Sequence, residues 1–302
     1  MYLKSVILLG INGQLGKALV AEIKKDSCVS ADFFIEKIYK NNISSIINNA
    51  VFTKNAQVII NAIAYTSVEH AENKPDEAVM LNYKVVSELS YIAKQRDLLL
   101  VHFSTDYVFD GSGQTPWSEG DTPNPLNIYG QSKYLGEQAI INSGCRYLII
   151  RTSWLHSPWR NNFLKMMLRL GVTQPELRVV SDQFGAPTSA IMLAEMTLLA
   201  IKRVLADPSL CGLYHMTASG ETSWYEYARF IFHQAHEIGL CTNIPRIIPV
   251  TSEHYPSIVK RPLNSRLDCS LFTHVFGKPL PKWQTGVIET LQWLHINPDL
   301  IL

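Results

Sequence analysis

The sequence predicts an α/β fold: a doubly wound, mostly parallel sheet with a smaller mixed α/β domain beside it. Three observations carry that expectation. A short apolar run, Ser5 to Leu9, passes straight into a glycine-rich turn and then a helical pattern. Strand-like and helix-like segments alternate from there to Thr152, the pattern of right-handed βαβ units. A second apolar run, Leu98 to Phe103, ends in Ser104, Thr105 and Asp106. Those hydroxyls and that carboxylate would sit at a strand's carboxyl end, where ligands bind in open α/β sheets.

The first strand runs into Gly10-Ile11-Asn12-Gly13-Gln14-Leu15-Gly16, a G-x-x-G-x-x-G spacing, and then ALVAEIKK. Glycines let the backbone approach a pyrophosphate, and the helix N-terminus offers unpaired N–H groups to it, so this turn points to a dinucleotide. Val29 to Phe34 is the second strand, with Asp32 or Glu36 as the ribose-binding acid expected about 20 residues after the glycines. Ile43 to Val51 reads as a short helix and Gln57 to Asn61 as the third strand. The small residues of Ala62-Ile63-Ala64-Tyr65-Thr66 leave room for a cofactor beside the sheet. Pro75 opens a long helix through Lys94, and Leu98 to Phe103 is the fourth strand. Beyond a Gly/Pro/Asp-rich loop, Tyr129 and Lys133 stand four apart on a helical pattern and share one face. An ammonium beside a phenol favours the phenolate, so Lys133 is expected to lower the Tyr129 pKa from its usual value of about 10. A tyrosine so placed is a general acid/base, and Thr105 could hydrogen-bond the same reacting oxygen.

Tyr147 to Thr152 is a further strand. Phe163 to Leu170 is amphipathic, Leu177 to Val180 a short strand, Ser189 to Val204 a helix and Leu213 to Met216 a strand. Trp224 to Glu237 is a helix stopped near Gly239, and Trp283 to Leu294 a last helix. Proline grows denser late in the chain. Residues 1–152 are expected to bind the dinucleotide. Residues 153–302 are expected to form mainly a substrate domain, with some segments returning to the sheet.

The totals exclude several classes. With 302 residues, 47% of them apolar and 18% charged, the chain can bury a sizeable core. A formal net charge of +1 without a basic block argues against nucleic acid or an anionic membrane as the main partner. Five cysteines, Cys28, Cys145, Cys211, Cys241 and Cys269, never fall into C-x-x-C spacing. That speaks against a disulfide framework or a zinc site and fits a reducing compartment. With no signal-peptide core and no spanning stretch, a cytoplasmic protein is expected. His70, His102, His156 and His215 show no metal-ligand spacing and read as structural.

Eight stretches together are more specific than any one: GINGQLG from Gly10, STDYVFDG from Ser104, PLNIYGQSKYLGE from Pro125, RTSW from Arg151, NNF from Asn161, DQFGAPT from Asp182, GLYH from Gly212 and RPLNSRL from Arg261. Over nearly the whole chain they resemble the extended short-chain dehydrogenase/reductase superfamily, and within it the reductases of dTDP-4-keto-6-deoxy sugars. The resemblance implies a Rossmann-type domain binding NADPH or NADH and a C-terminal domain holding the nucleotide sugar. It implies hydride transfer to the C4 keto group of dTDP-6-deoxy-L-lyxo-4-hexulose, in dTDP-rhamnose and polysaccharide synthesis. By that match Tyr129 protonates the developing alkoxide, Lys133 binds the nicotinamide ribose and assists Tyr129, and Thr105 hydrogen-bonds the C4 oxygen.

The same resemblance places Gly10, Gly13, Gln14, Leu15 and Gly16 at the pyrophosphate and Ala64, Tyr65 and Thr66 beside the nicotinamide half. Asn42-Ile43 stands where relatives carry an Asp-Ile or Asp-Phe pair at the adenosine, which leaves the choice of NADPH or NADH open. Asp106 and Trp154 match the sugar contact, although Trp154 could equally be core. Arg261 suits a diphosphate, with Asn161 and Asn162 in support; its other reading is a salt bridge within the substrate domain. Asp182-Gln183 could simply shape a turn. Some relatives hold Mg²⁺ between subunits with glutamates. Here the nearest places are Ala18, Ile191 and Trp293, whose side chains cannot ligate a hard cation, so Mg²⁺ is open by resemblance while its usual ligands are missing. A homodimer is an open expectation. Two alternatives stay beside the main reading: a reductase of another 4-keto-6-deoxy nucleotide sugar, and a non-catalytic regulatory subunit of methionine adenosyltransferase type.

Overall fold

A computed structural model of the chain describes residues 3–25, 30–34 and 56–301. In chain order the strands are β1 (Ser5–Leu9), β2 (Ser30–Phe34), β3 (Val58–Asn61), β4 (Leu99–Thr105), β5 (Arg146–Thr152), β6 (Leu155–His156), β7 (Glu176–Val180), β8 (Phe184–Gly185), β9 (Thr188–Ser189), β10 (Gly212–His215), β11 (Thr222–Ser223) and β12 (Arg246–Val250). Six of them form one parallel sheet in the order β10-β5-β4-β3-β1-β2. Sheets of this kind are covered by helices on both faces, so their strands are apolar almost throughout. SVILL in β1 is buried at every position. Val6 and Leu8 face one core with Val58, Ile60, Val101 and Ile150, and Ile7 and Leu9 face the other with Ile59, Leu100 and Ile149.

Helix α1 (Gln14–Lys25) covers the first face together with α7 (Ala190–Ala206). The opposite face is covered by α4 (Val85–Gln95) and α5 (Ile128–Ser143), which pack on each other. The expected helix from Pro75 to Lys94 is continuous but not uniform. It starts as α3 (Pro75–Val79), widens into a π turn at Met80–Lys84 and continues as α4. A π turn projects an extra residue from the helix and is frequent at functional sites. Ahead of α3 lies the short α2 (Val68–Asn73), which the sequence pattern did not suggest.

The later chain supplies α6 (Phe163–Thr173), α8 (Trp224–Glu237), α9 (Ser270–Phe276) and α10 (Trp283–Ile296). β12 runs parallel to β7 as a two-stranded pair, which the late prolines had hidden; an edge position tolerates Pro249. Two-residue pairs β6·β9 and β8·β11 pin the loops around them. Among the described residues no helix is long and apolar enough to cross a membrane. The reading of Ile43 to Val51 as a helix, with Asn42, Ile43 and Glu36, lies outside the described residues. Asp32 falls within β2, paired in register with Ile7.

Candidate active site

The glycine turn closes tightly on the carboxyl end of β3. Gly10 has φ +84°, and a Cβ there would lie 2.7 Å from the Ala62 carbonyl carbon. At Gly16 a Cβ would lie 2.0 Å from the Gly10 oxygen, so only glycine lets α1 begin so close to the turn. Gly13 is exposed, and its N–H is tied to the Gly10 carbonyl at 3.1 Å. Bare backbone at a helix N-terminus is the cradle a pyrophosphate requires, and these residues fit a dinucleotide.

Ala64, Tyr65 and Thr66 follow β3 directly. Tyr65 is clasped from both sides by Asn82 of the π turn: its N–H donates to Asn82 Oδ1 at 2.8 Å, and its carbonyl accepts from Nδ2 at 3.1 Å. Asn82 Nδ2 also donates to Ser132 Oγ at 3.0 Å, and Ser132 Oγ donates to the Tyr129 carbonyl at 2.9 Å. The wide turn thus ties the loop after β3 to the helix that carries Tyr129 and Lys133.

The start of α5 is fixed just as closely. Asn127 Oδ1 accepts from the Gly130 N–H at 2.9 Å, and Glu72 of α2 accepts from the Ile128 N–H at 2.8 Å. A Cβ on Gly130 would lie 2.1 Å from the Tyr107 carbonyl oxygen, so the helix lies directly on the turn after β4. Tyr129 therefore meets Tyr107 edge to face, with centroids 5.5 Å apart. Thr105, the last residue of β4, donates to Asp106 Oδ1 at 3.0 Å and accepts from the Tyr107 N–H at 3.2 Å.

The expected lowering of Tyr129 is corrected here. Desolvation dominates and pushes its phenol up to about 12, with the Thr105 hydroxyl pulling the other way. The cause is where the lysine goes. Lys133 is buried, donates to the Phe103 carbonyl at 2.5 Å and lies 3.2 Å from His102 Nε2. Burial holds the lysine down to about 8, partly offset by Glu137. Asp106 is pushed up to about 6 by burial, with the hydroxyls of Ser265 and Thr105 opposing.

Other expected residues fall in different surroundings. Arg261 pairs with Glu69 of α2 and hydrogen-bonds Tyr107. Its salt bridge therefore reaches across to the N-terminal half, not within the C-terminal one. Asn162 caps α6 by accepting from the Lys165 N–H at 3.1 Å and donates to Gln14 Oε1 at 2.9 Å, stitching α6 to the glycine turn. Asn161 accepts from Arg169 at 3.0 Å. Trp154, at φ +48°, stacks on Trp224 with centroids 3.6 Å apart and leaves no space for a side chain at Gly185. It is half-buried, so much of the ring packs as core. Asp182 accepts from the Ser252 N–H at 2.9 Å and hydroxyl at 2.7 Å, which ties the end of β7 to the segment after β12.

A cavity of about 1020 Å³ lies between α6, β7 and the segment around residue 260. Its walls include Phe163, Val179, Gln183, Trp224, Lys260 and Arg261. Among the described residues no group of three or more His, Cys, Asp or Glu could hold a metal ion. Ala18 is buried, and Trp293 meets Trp159 edge to face.

Asn61, Asn82, Glu72 and His102 escaped the sequence reading as site residues. For His102 a signal existed, a titratable side chain in the middle of the apolar strand LLVHFST. For Asn82 and Glu72 none did, because their partners are 17 to 56 residues away.

Comparison with known proteins fits this geometry. Residues 4–296 match the family model described as the RmlD substrate binding domain. The chain is 43% identical over 237 residues to dTDP-4-dehydrorhamnose reductase of Escherichia coli K12, covering 78% of this chain and 79% of that protein. It is 36% identical over 290 residues to the Sinorhizobium fredii enzyme of the same name, covering 94% and 95%. The crystal structure of the Bacillus anthracis dTDP-4-dehydrorhamnose reductase in complex with NADP superposes with a TM-score of 0.86 at 34% identity, over 96% of this chain and 99% of that one.

Proposed function

From the premise that the chain belongs to the dTDP-4-dehydrorhamnose reductase family, we propose how its own residues divide the work. The protein is an NADP(H)-dependent oxidoreductase of dTDP-rhamnose synthesis. It reduces the C4 keto group of dTDP-6-deoxy-L-lyxo-4-hexulose to the alcohol of dTDP-L-rhamnose. Bound cofactor supplies the hydride.

The rest falls to the chain. Residues 1–152 hold the dinucleotide, with Gly10, Gly13, Gln14, Leu15 and Gly16 at the pyrophosphate and Ala64, Tyr65 and Thr66 beside the nicotinamide half. Tyr129 gives its proton to the C4 oxygen as charge develops there. The phenol carries the proton it gives at neutral pH, although burial pushes it up to about 12 in the free protein. Thr105 hydrogen-bonds the same oxygen, and a pair of fixed donors aimed at one developing charge is what electrostatic stabilisation requires. Lys133, four residues from Tyr129 on α5, holds the nicotinamide ribose.

Residues 153–302 mainly hold the nucleotide sugar. Asp106 and Trp154 meet the sugar. The large cavity takes the nucleotide half, with aromatic walls at Phe163 and Trp224 for the base and Arg261 for the diphosphate. Arg261 would then share or leave its contact with Glu69 when phosphate arrives.

The observation that carries the reading is the convergence of Thr105, Tyr129 and Lys133 between the ends of β4 and α5. The test is incubation with NADPH and a panel of 4-keto-6-deoxy nucleotide sugars, with product stereochemistry read by NMR. Formation of the L-rhamno product from the L-lyxo ketone is expected. A different epimer would assign the chain to another deoxysugar. Cofactor binding without any reduction would mark a regulatory subunit.

A further inference from the structure

One buried chain of polar atoms admits a single proton arrangement, and that arrangement reaches Lys133. Asn61 and His102 are register partners across β3 and β4. Asn61 Oδ1 accepts from the Ile63 N–H at 3.1 Å. The amide nitrogen, a donor with no acceptor capacity, is therefore the atom 3.1 Å from His102 Nδ1. Nδ1 must accept, so the neutral ring carries its one proton on Nε2. Nε2 faces Lys133 Nζ at 3.2 Å, and Nζ also donates to the Phe103 carbonyl at 2.5 Å. An ammonium has no lone pair, so opposite Nε2–H it meets a second donor. A neutral amine can accept from Nε2–H and still donate to Phe103. All three side chains are buried, and an unmade hydrogen bond there is costly.

We infer that His102 is a positioning residue for Lys133: held by Asn61 in the Nε2–H tautomer, it presents a donor to Nζ and favours the neutral amine over the ammonium. This rests on the reading of Tyr129 as the acid, with Lys133 beside it at the nicotinamide ribose. Burial acts on the lysine in the same direction. The alternative, charging His102, is opposed by burial and by the Lys133 charge. The other ionisable groups around the lysine do not reverse this. Glu137, one turn on along α5, favours the ammonium, but its two oxygens are taken by Arg151 of β5 at 2.7 and 2.9 Å. Tyr129, one turn back, keeps its proton. From β4 the group facing Nζ is His102, and from β3 the chain ends in the neutral Asn61. The consequence is a lysine whose two charge states lie close together, beside the residue that gives up a proton.

The test uses the free protein and NMR. In ¹⁵N-histidine-labelled protein the His102 ring, assigned by its loss in His102→Gln, should show the Nε2–H tautomer from pH 5.5 to 8.5 without an imidazolium signal. The Lys133 ¹³Cε titration, assigned by its loss in Lys133→Met, should have a midpoint clearly below that of ordinary lysines. His102→Gln places an amide carbonyl acceptor near Nζ and should raise that midpoint by about one unit, tenfold in proton affinity. An Nδ1–H tautomer, an imidazolium at neutral pH, or an unmoved Lys133 midpoint in folded His102→Gln would overturn the inference. Should that variant fail to fold, Asn61→Asp serves instead. Its carboxylate accepts from Nδ1–H, so the tautomer must switch, and an unchanged tautomer refutes the argument. Neither readout involves turnover, so inactivity toward every sugar would sink the proposed function without touching this result.

Discussion

Replacing Tyr129 with Phe removes one oxygen and leaves the ring in place. The edge-to-face contact with Tyr107 at 5.5 Å needs only the ring. The Thr105 hydroxyl keeps Asp106 as a partner at 3.0 Å and the Tyr107 N–H at 3.2 Å, so no buried group is newly orphaned. Stability should therefore change by no more than about 1 kcal/mol. The chemistry should not be spared. If Tyr129 gives the proton, its contribution is made in the transition state, and the loss falls on kcat more than on KM. General acid catalysis is worth about 10² to 10⁴-fold, or roughly 3 to 5 kcal/mol. Thr105→Val should cost less, about 1.5 to 3 kcal/mol for a hydrogen bond to a developing charge. Lys133→Met should lower kcat and weaken cofactor binding together. The assay is steady-state kinetics of all three variants with circular dichroism and thermal melts as folding controls. A folded Tyr129→Phe protein with wild-type turnover would refute the assignment of the acid.

Three further outcomes are expected. No Arg lies between Gly16 and Leu81, so a 2′-phosphate would find at most a lysine, and kinetics with both cofactors should show a preference below about tenfold, roughly 1.4 kcal/mol; a thousandfold preference would contradict this. Activity should survive exhaustive EDTA treatment, because Ala18, Ile191 and Trp293 offer no carboxylate; loss of activity that Mg²⁺ restores would show otherwise. Stability should fall as the solution is acidified. His156 and His215 are held down to about 3 and His102 well below its ordinary value by burial, so below about pH 6.5 the unfolded chain binds protons that the folded one does not. Asp106, raised to about 6, acts in the opposite direction between about pH 6 and 4. The net slope is about two protons, roughly 2.7 kcal/mol per pH unit, measurable by denaturant melts from pH 7 to 4; a flat profile would refute the burial argument.

The sheet strands were readable because burial on both faces leaves little but apolar residues, as in SVILL and VIIN. The helices were readable where one face is apolar: Trp224–Glu237 was expected with the bounds it has. The π turn was not, since widening a helix by one residue leaves no mark in a period of 3.6. β12 was missed because prolines argue against strands, and only the edge position makes Pro249 acceptable. At the site, the spacing placed Tyr129 and Lys133 on one helix, yet their electrostatics came out reversed. Four residues of separation say nothing of how deeply a lysine is buried, or that a carbonyl of β4 waits for it. Arg261 was open for the same reason: its partner, Glu69, stands 192 positions earlier in the chain.

The placement of β10 bears on how the protein is made. β10 comes from residues 212–215 yet forms the sheet edge beside β5. A fragment ending at Thr152 would leave the backbone of β5 unpaired along Leu148, Ile149 and Ile150, an apolar strand with an open flank. During synthesis the sheet cannot be completed until His215 has emerged, 63 residues behind Thr152. Through that interval the nascent chain exposes a sticky rim, a hazard intrinsic to slow parallel pairing. The halves are thus poor candidates for exchange as cassettes between relatives: a swap at residue 152 would separate β5 from the strand that seals it.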